Sequence, residues 1–176
     1  MNYLTFETER FVLRPTLEED APFILELLNT PKWIQNIGDR NVHTVEEAAN
    51  YIRNRMLPQL ERLGFSNYTL IRKSDQVKVG ISGLYQREGL DGVDIGYAIL
   101  PPYEGQGYAF EATQRLMQAA EHEFRFPSVK AITIEENIAS RKLLEKLGMQ
   151  FVKIMKLPND PVDLWLYEKK FEQGDH

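Results

Sequence analysis

The sequence predicts a mixed α/β fold of the α+β kind, one domain over residues 1–176 with a central, mostly antiparallel sheet of about seven strands and about four flanking helices. Three observations carry this prediction. The apolar period switches from helical to strand-like near Phe65, with three strand-like runs from Asn67 to Leu100. Two Thr-x-x-Glu segments announce helix starts, and Gly and Pro separate elements without pooling into a linker. The length of 176 residues, at roughly 150 per domain, leaves no room for a second core.

The elements follow in order. Arg10-Phe11-Val12-Leu13-Arg14 alternates and is closed by Pro15, which makes it a strand with Phe11 and Leu13 inward. Thr16-Leu17-Glu18-Glu19 fits a capping box for a helix to about Leu28, with Phe23, Ile24, Leu27 and Leu28 on its apolar stripe. Thr44-Val45-Glu46-Glu47 opens a second helix, kinked near Pro58 and ended at Gly64, and residues 31–43 between the two read as an irregular loop holding Trp33 and Ile34. Asn67 to Arg72, Val77 to Tyr85 and Val93 to Leu100 form an antiparallel meander with polar turns between them. A helix from Phe110 to about Phe124, a strand from Val129 to Ile134, a helix from Ile138 to Leu147 and two strands near Met149 to Leu157 and Val162 to Phe171 complete the chain.

Composition removes several function classes. A formal charge of −5 gives no global basic field for a nucleic-acid backbone, so no nucleic-acid partner is expected. With no cysteine the chain has no disulfide, thiolate metal site or thiol nucleophile, and His43, His122 and His176 are too scattered to suggest a metal site, so none is expected. The N-terminus lacks a signal pattern and no run is apolar enough to span a bilayer, which predicts a soluble cytoplasmic protein without a membrane partner.

The chemistry concentrates at Glu104-Gly105-Gln106-Gly107-Tyr108-Ala109, between a strand and a helix. Successive amides of such a turn converge, and the first helical amides add the positive end of the helix dipole, so the turn suits a phosphate or pyrophosphate. An ordinary glycine-rich turn explains the glycines equally well. A P-loop is excluded because no Gly-Lys-Ser/Thr is present, and a dinucleotide fingerprint lacks its third glycine and belongs near the first strand.

Taken with Asp94-Ile95-Gly96-Tyr97-Ala98-Ile99-Leu100 before it, Glu111-Ala112 after it, and Asn137-Ile138-Ala139-Ser140 followed by Leu143-Leu144-Glu145-Lys146-Leu147-Gly148-Met149, the turn resembles the acetyl-coenzyme A site of the GCN5-related N-acetyltransferases (GNAT). Within that superfamily the combination is similar to the RimJ/RimL-type branch, which acetylates the N-termini of ribosomal proteins. Arg10 to Pro15 and the two capped helices also fit, so the resemblance covers nearly the whole chain.

The resemblance implies direct transfer of an acetyl group from acetyl-CoA to a primary amine in a ternary complex, on a peptide N-terminus or a small molecule. Glu104, Gly105, Gln106, Gly107, Tyr108 and Ala109 would hold the pyrophosphate through backbone amides, Tyr97 and Ile99 would pair with the pantetheine arm like an added strand, and Asn137 would bind it through its side chain. This pairing requires the Asp94 strand to splay from its neighbour. Asn137 also reads as a plain helix cap. Ser140 would return a proton to the departing thiolate, because Leu144 stands where the superfamily often has Tyr; Tyr97 and Tyr108 are alternative donors. Asp94 is the leading base and Glu111 the other carboxylate, with a first-turn helix charge as its competing role. Trp33, Ile34, Tyr85 and Glu111 would line the acceptor side, although an aromatic such as Trp33 also serves as a core anchor, and Arg141, Lys142 and Lys146 would meet the 3′-phosphate. The final strands of the superfamily often pair between subunits, which implies a homodimer. Leu144 and Glu104 leave a second reading open, an acyl-CoA-binding regulatory module that no longer catalyses.

Overall fold

The computed structural model of the protein describes residues 3–172. A short strand that the sequence reading left unassigned, β1 (Phe6–Glu7), pairs antiparallel with β2 (Phe11–Pro15), in which buried Phe11, Leu13 and Pro15 alternate with half-buried Val12 and Arg14. A 3₁₀ turn at Glu18–Asp20 leads into α1 (Ala21–Leu28).

The cap expected from Thr16 does not form. Its hydroxyl lies 2.9 Å from that of Thr69, and the Leu17 amide donates to Asp20 Oδ2 at 2.9 Å. Fully buried Asp20 also accepts from Arg14 at 2.8 Å on each oxygen and from Lys78 at 2.6 Å. A carboxylate between two cations is a stronger acceptor than a neutral hydroxyl, so Asp20 takes the amide. Burial pushes this carboxyl up, and the bonds from Arg14, Lys78 and the Leu17 amide more than reverse it, to about 2. Because the folded value lies below the unfolded one of 3.8, the stabilisation is complete above pH 3.8 and is lost as pH falls through about 2. Asp20→Asn is expected to cost about 3 kcal/mol at neutral pH, with the difference from wild type shrinking toward pH 2, as read from denaturant midpoints across pH. A deficit independent of pH would assign the loss to packing.

Residues 31–43 are not wholly irregular, because α2 (Pro31–Asn36) forms there with Thr30 Oγ1 accepting from the Trp33 amide. Pro31 at the first helical position and the Thr cap are the sequence signals for it. Thr44 caps α3 (Val45–Tyr51) as expected, accepting from the Glu47 amide at 3.0 Å. The chain then widens into a π turn at Ile52–Met56, which accommodates Pro58 near the start of α4 (Leu57–Leu63), and Gly64 at φ +85° ends it.

β3 (Asn67–Arg72), β4 (Lys78–Tyr85) and β5 (Asp94–Ile99) form the predicted meander. After α5 (Tyr108–His122), β6 (Ser128–Thr133), α6 (Ile138–Lys146), β7 (Gln150–Met155) and β8 (Leu164–Lys170), the eight strands stand in the order β1-β2-β3-β4-β5-β6-β8-β7. Phe11, Leu13, Leu70 and Ile95 share one core with Leu116 of α5 and Leu144 of α6. Ile81 packs on the opposite side with Ile24, Leu28 and Ile52, so α1 to α4 cover that face.

One joint in the sheet differs from the others. β5 and β6 run parallel and are in register only at Asp94 and Lys130, where the Lys130 amide donates to the Val93 carbonyl at 2.9 Å. Leu100 donates instead toward β4, to Val79 at 2.8 Å. Backbone groups alternate sides along a strand, so Tyr97 and Ile99 present theirs to the β6 side, where the strands have already parted.

Candidate active site

The gap between β5 and β6 leads to the turn before α5. Pro101–Tyr103 makes a 3₁₀ turn, and Gly105 at φ +75° and Gly107 at φ +78° then hold a left-handed conformation that a Cβ would strain. Gly107 is the N-cap of α5 and offers no side chain, and Glu111 is the first residue of the helix to return its amide, to the Gly107 carbonyl at 3.1 Å. Among the described residues nothing accepts from the amides of Gly105, Gln106, Gly107, Tyr108, Ala109 or Phe110. A row of unpaired donors at the positive end of a fifteen-residue helix is electrostatically suited to an anion. Glu104 does not oppose it, since Lys32 of α2 binds its carboxylate at 2.5 Å.

Tyr108 points into the protein, edge-on to Phe11 at 4.8 Å, with its hydroxyl 3.3 Å from Arg72 Nη1, so it is not placed to donate into the gap. Glu111 likewise turns from the acceptor side. It accepts from Thr8 at 2.5 Å and from Arg10 Nε at 2.6 Å, and these bonds outweigh burial to hold the carboxyl below its ordinary value.

Across the gap, Asn137 caps α6 by accepting from the Ser140 amide at 3.3 Å. This uses its carbonyl oxygen and leaves the amide nitrogen free of partners among the described residues. Ser140 is buried at the helix start on the side of Tyr97 of β5, with no hydrogen bond within 3.5 Å joining the two side chains. Burial raises the Tyr97 phenol, nearby Ser140 opposes this, and the charge of Glu104 adds to it. Leu144 is a core residue. Arg141 stacks on Trp165 at 4.1 Å and donates to the Glu135 carbonyl, whereas Lys146 lies 4.0 Å above Phe110 in the first turn of α5, and Lys142 is exposed.

Asp94 opens β5 on the other face of the sheet and is 1% exposed. Arg87 Nε donates to both its oxygens at 2.9 Å, and the guanidinium lies 4.8 Å from the centre of the Tyr85 ring. Burial pushes the Asp94 carboxyl up and Arg87 only partly offsets this. Tyr85 folds over Gly83 and Gly96 and donates to Asn67 Oδ1. A cavity of about 480 Å³ bordered by Arg62, Arg87, Leu90 and Asp91 opens beside this network. Trp33 is buried in the α1 to α3 core, the anchor role weighed for it, while Ile34 is exposed.

Arg87 and Arg10 escaped the sequence reading. Arg87 had a local signal, standing two residues beyond Tyr85, which pairs directly with Asp94 across the hairpin. Arg10 had none, being 101 residues from its carboxylate partner.

Among the described residues no cluster of three or more His, Cys, Asp or Glu suits a metal ion, and no helix is long and apolar enough to cross a membrane.

The sheet is splayed, and its open β5 edge runs into a glycine turn of free amides. Residues 10–150 match the family model of the acetyltransferase (GNAT) domain, and the chain belongs to that family: it is an acetyl-CoA-dependent N-acetyltransferase. It is 28% identical over 148 residues to the uncharacterized N-acetyltransferase p20 of Bacillus licheniformis, covering 83% of this chain and 82% of that protein. It is 24% identical over 145 residues to the uncharacterized N-acetyltransferase YoaA of Bacillus subtilis (strain 168), covering 82% and 81%. The fold matches an acetyltransferase from Agrobacterium tumefaciens (TM-score 0.80, 21% identity, 98% of this chain and 96% of that one). It also matches RimL, a ribosomal L7/L12 α-N-protein acetyltransferase in complex with coenzyme A (TM-score 0.80, 19% identity, 95% and 98%).

Proposed function

We propose that the chain moves an acetyl group from acetyl-CoA to a primary amine by direct attack in a ternary complex, and that the acceptor is a protein N-terminal α-amine or a small-molecule amine. The observation that carries this is the continuity of the open β5 edge with the free amides of Gly105 to Phe110. One surface thus offers strand pairing for an amide-bearing arm and, next to it, donors for a diphosphate. The α-amine reading draws on the likeness to RimL.

Acetyl-CoA supplies, when bound, a thioester that the amine attacks at the carbonyl carbon while the sulfur leaves. Amides 105–110 hold the pyrophosphate, and Lys146, beside the first turn of α5, adds positive charge. Asn137 donates its free amide to the pantetheine arm, and a β5 amide facing the gap stabilises charge on the carbonyl oxygen. Asp94 takes the proton from the ammonium, its raised basicity suiting this work, and Tyr85 floors the acceptor side. Ser140 or Tyr97 gives a proton to the departing sulfur and regains one from the second proton that the nitrogen sheds as the amide forms. Glu111, held by Thr8 and Arg10, and Trp33, packed in the core, are kept from the acceptor. Two features support catalysis over a non-catalytic module: Lys32 pairs with Glu104, and Ser140 and Tyr97 offer hydroxyls where Leu144 replaces the tyrosine usual in the superfamily.

Thiol release from acetyl-CoA, against N-terminal peptides, polyamines and small amines with a no-acceptor blank, tests the reaction. Release above the blank for one class identifies the acceptor. Coenzyme binding with silence across the panel would favour the non-catalytic module.

Arg87→Gln is expected to move the acidic limb of the kcat/KM profile to higher pH. Removing the cation that favours ionised Asp94 leaves burial unopposed, so the carboxylate forms only at higher pH. An unmoved limb would take the base role from Asp94.

A further inference from the structure

The N-terminal hairpin reaches the turn before α5 through one side chain. Arg10 donates from its backbone amide to Glu111 Oε2 at 3.0 Å, from Nε to Glu111 Oε1 at 2.6 Å, and from Nη1 to the Gln106 carbonyl at 3.0 Å. Its guanidinium also lies 4.6 Å from the centre of the Tyr108 ring, and a Cβ built on Gly107 would stand 3.5 Å from its Nη2. Thr8 Oγ1 bonds the same Glu111 oxygen that takes the Arg10 amide, so the carboxylate is gripped from the hairpin by three donors.

The consequence lies in the peptide plane between Gln106 and Gly107. Among the described residues no peptide bond is cis, and in a trans peptide the carbonyl and the next N–H point in opposite directions. Drawing the Gln106 carbonyl onto Arg10 therefore turns the Gly107 amide away from Arg10, where no described residue accepts from it. Glycine at 107, on one side of this plane, tolerates the φ change that a rotation would need. A flipped plane would aim a carbonyl, carrying partial negative charge, where the amide had been.

Resting on the function proposed above, we propose that Arg10 is a positioning residue for the coenzyme. Held by Glu111, it fixes the Gln106–Gly107 peptide so that the Gly107 amide faces the pyrophosphate, without itself touching the ligand. The contact also ties the first strand pair to the cofactor turn, which gives Glu111 its place in the site.

Calorimetric titration of coenzyme A into wild type, Arg10→Gln and Arg10→Lys tests this, with melting temperatures measured alongside. Lysine keeps the charge opposite Glu111 but lacks the planar fork that serves Glu111 and the Gln106 carbonyl together. Both variants are expected to raise the dissociation constant for coenzyme A roughly tenfold, the scale of one misdirected donor, and Arg10→Lys is expected to keep the wild-type melting temperature. In the kinetic arm, KM for acetyl-CoA rises while kcat at saturation holds, and kcat/KM for S-acetylpantetheine, which lacks the pyrophosphate, changes less than about twofold. Wild-type coenzyme affinity in Arg10→Lys would overturn the proposal, as would an equal loss with both acetyl donors, which marks general damage. Failure of wild type itself to bind coenzyme A would instead overturn the function on which the proposal rests.

Discussion

Gly107→Asp is expected to raise the dissociation constant for coenzyme A by at least about a hundredfold, while the protein stays folded. Two effects add. The position has φ +78°, which costs a residue with a Cβ roughly 1–2 kcal/mol. The larger effect is electrostatic: residue 107 is the N-cap of α5, so a carboxylate there puts the chain's own negative charge at the helix end that otherwise awaits a phosphate. With its Cβ 3.5 Å from Arg10 Nη2, it would also draw on the guanidinium that holds the turn. The backbone strain of about 1–2 kcal/mol is too small to unfold the domain. Gly107→Ala, which carries the strain without the charge, is expected to lose only a few-fold. Calorimetric titration of both variants separates the two effects, and equal losses would show that backbone conformation alone makes the site.

The second large effect is expected from removing both hydroxyls at the entrance to α6. Ser140→Ala and Tyr97→Phe should each lower kcat by a few-fold, and the double variant by about 10²–10³, with coenzyme affinity nearly unchanged. The reason is their proximity: either hydroxyl can supply the proton when the other is gone, directly or through a water in the vacated space. Single-turnover rates with saturating acetyl-CoA check this. If each single variant already falls as far as the double, the two act in series, one relaying through the other. If affinity falls with rate, the pair supports the cleft and does not move a proton.

The parts of this site that were legible in sequence are local. The glycine turn, the Asn137 cap and the antiparallel meander each sit within a few residues, where spacing and dihedral preference speak directly. Thr44 capped its helix as the pattern required. Thr16 did not, because buried Asp20, gathering Arg14 and Lys78 from different strands, outcompeted it. Tertiary electrostatics of that kind leave no periodic trace. The same holds for Glu111, whose partners at residues 8 and 10 come from the opposite end of the chain, and for Glu104, neutralised from α2 by Lys32. Carboxylates were the residues whose setting sequence misjudged most, since a charge takes its role from whichever countercharge the fold delivers. Asp94 stands out in the sequence as an acid within an apolar run, but its partner Arg87 is visible only in the structure.

The single rung between β5 and β6 bears on more than catalysis. Two half-sheets joined at Asp94 and Lys130 are a structure with a seam, braced on one side by α5. An arm that pairs with Tyr97 and Ile99, as proposed above, would be a ninth strand borrowed from a small molecule, lying where the seam opens beyond that rung. Filling the cleft would then work like setting a keystone: amide exchange along β5 is expected to slow, and resistance to heat and proteolysis to rise, as coenzyme concentration rises.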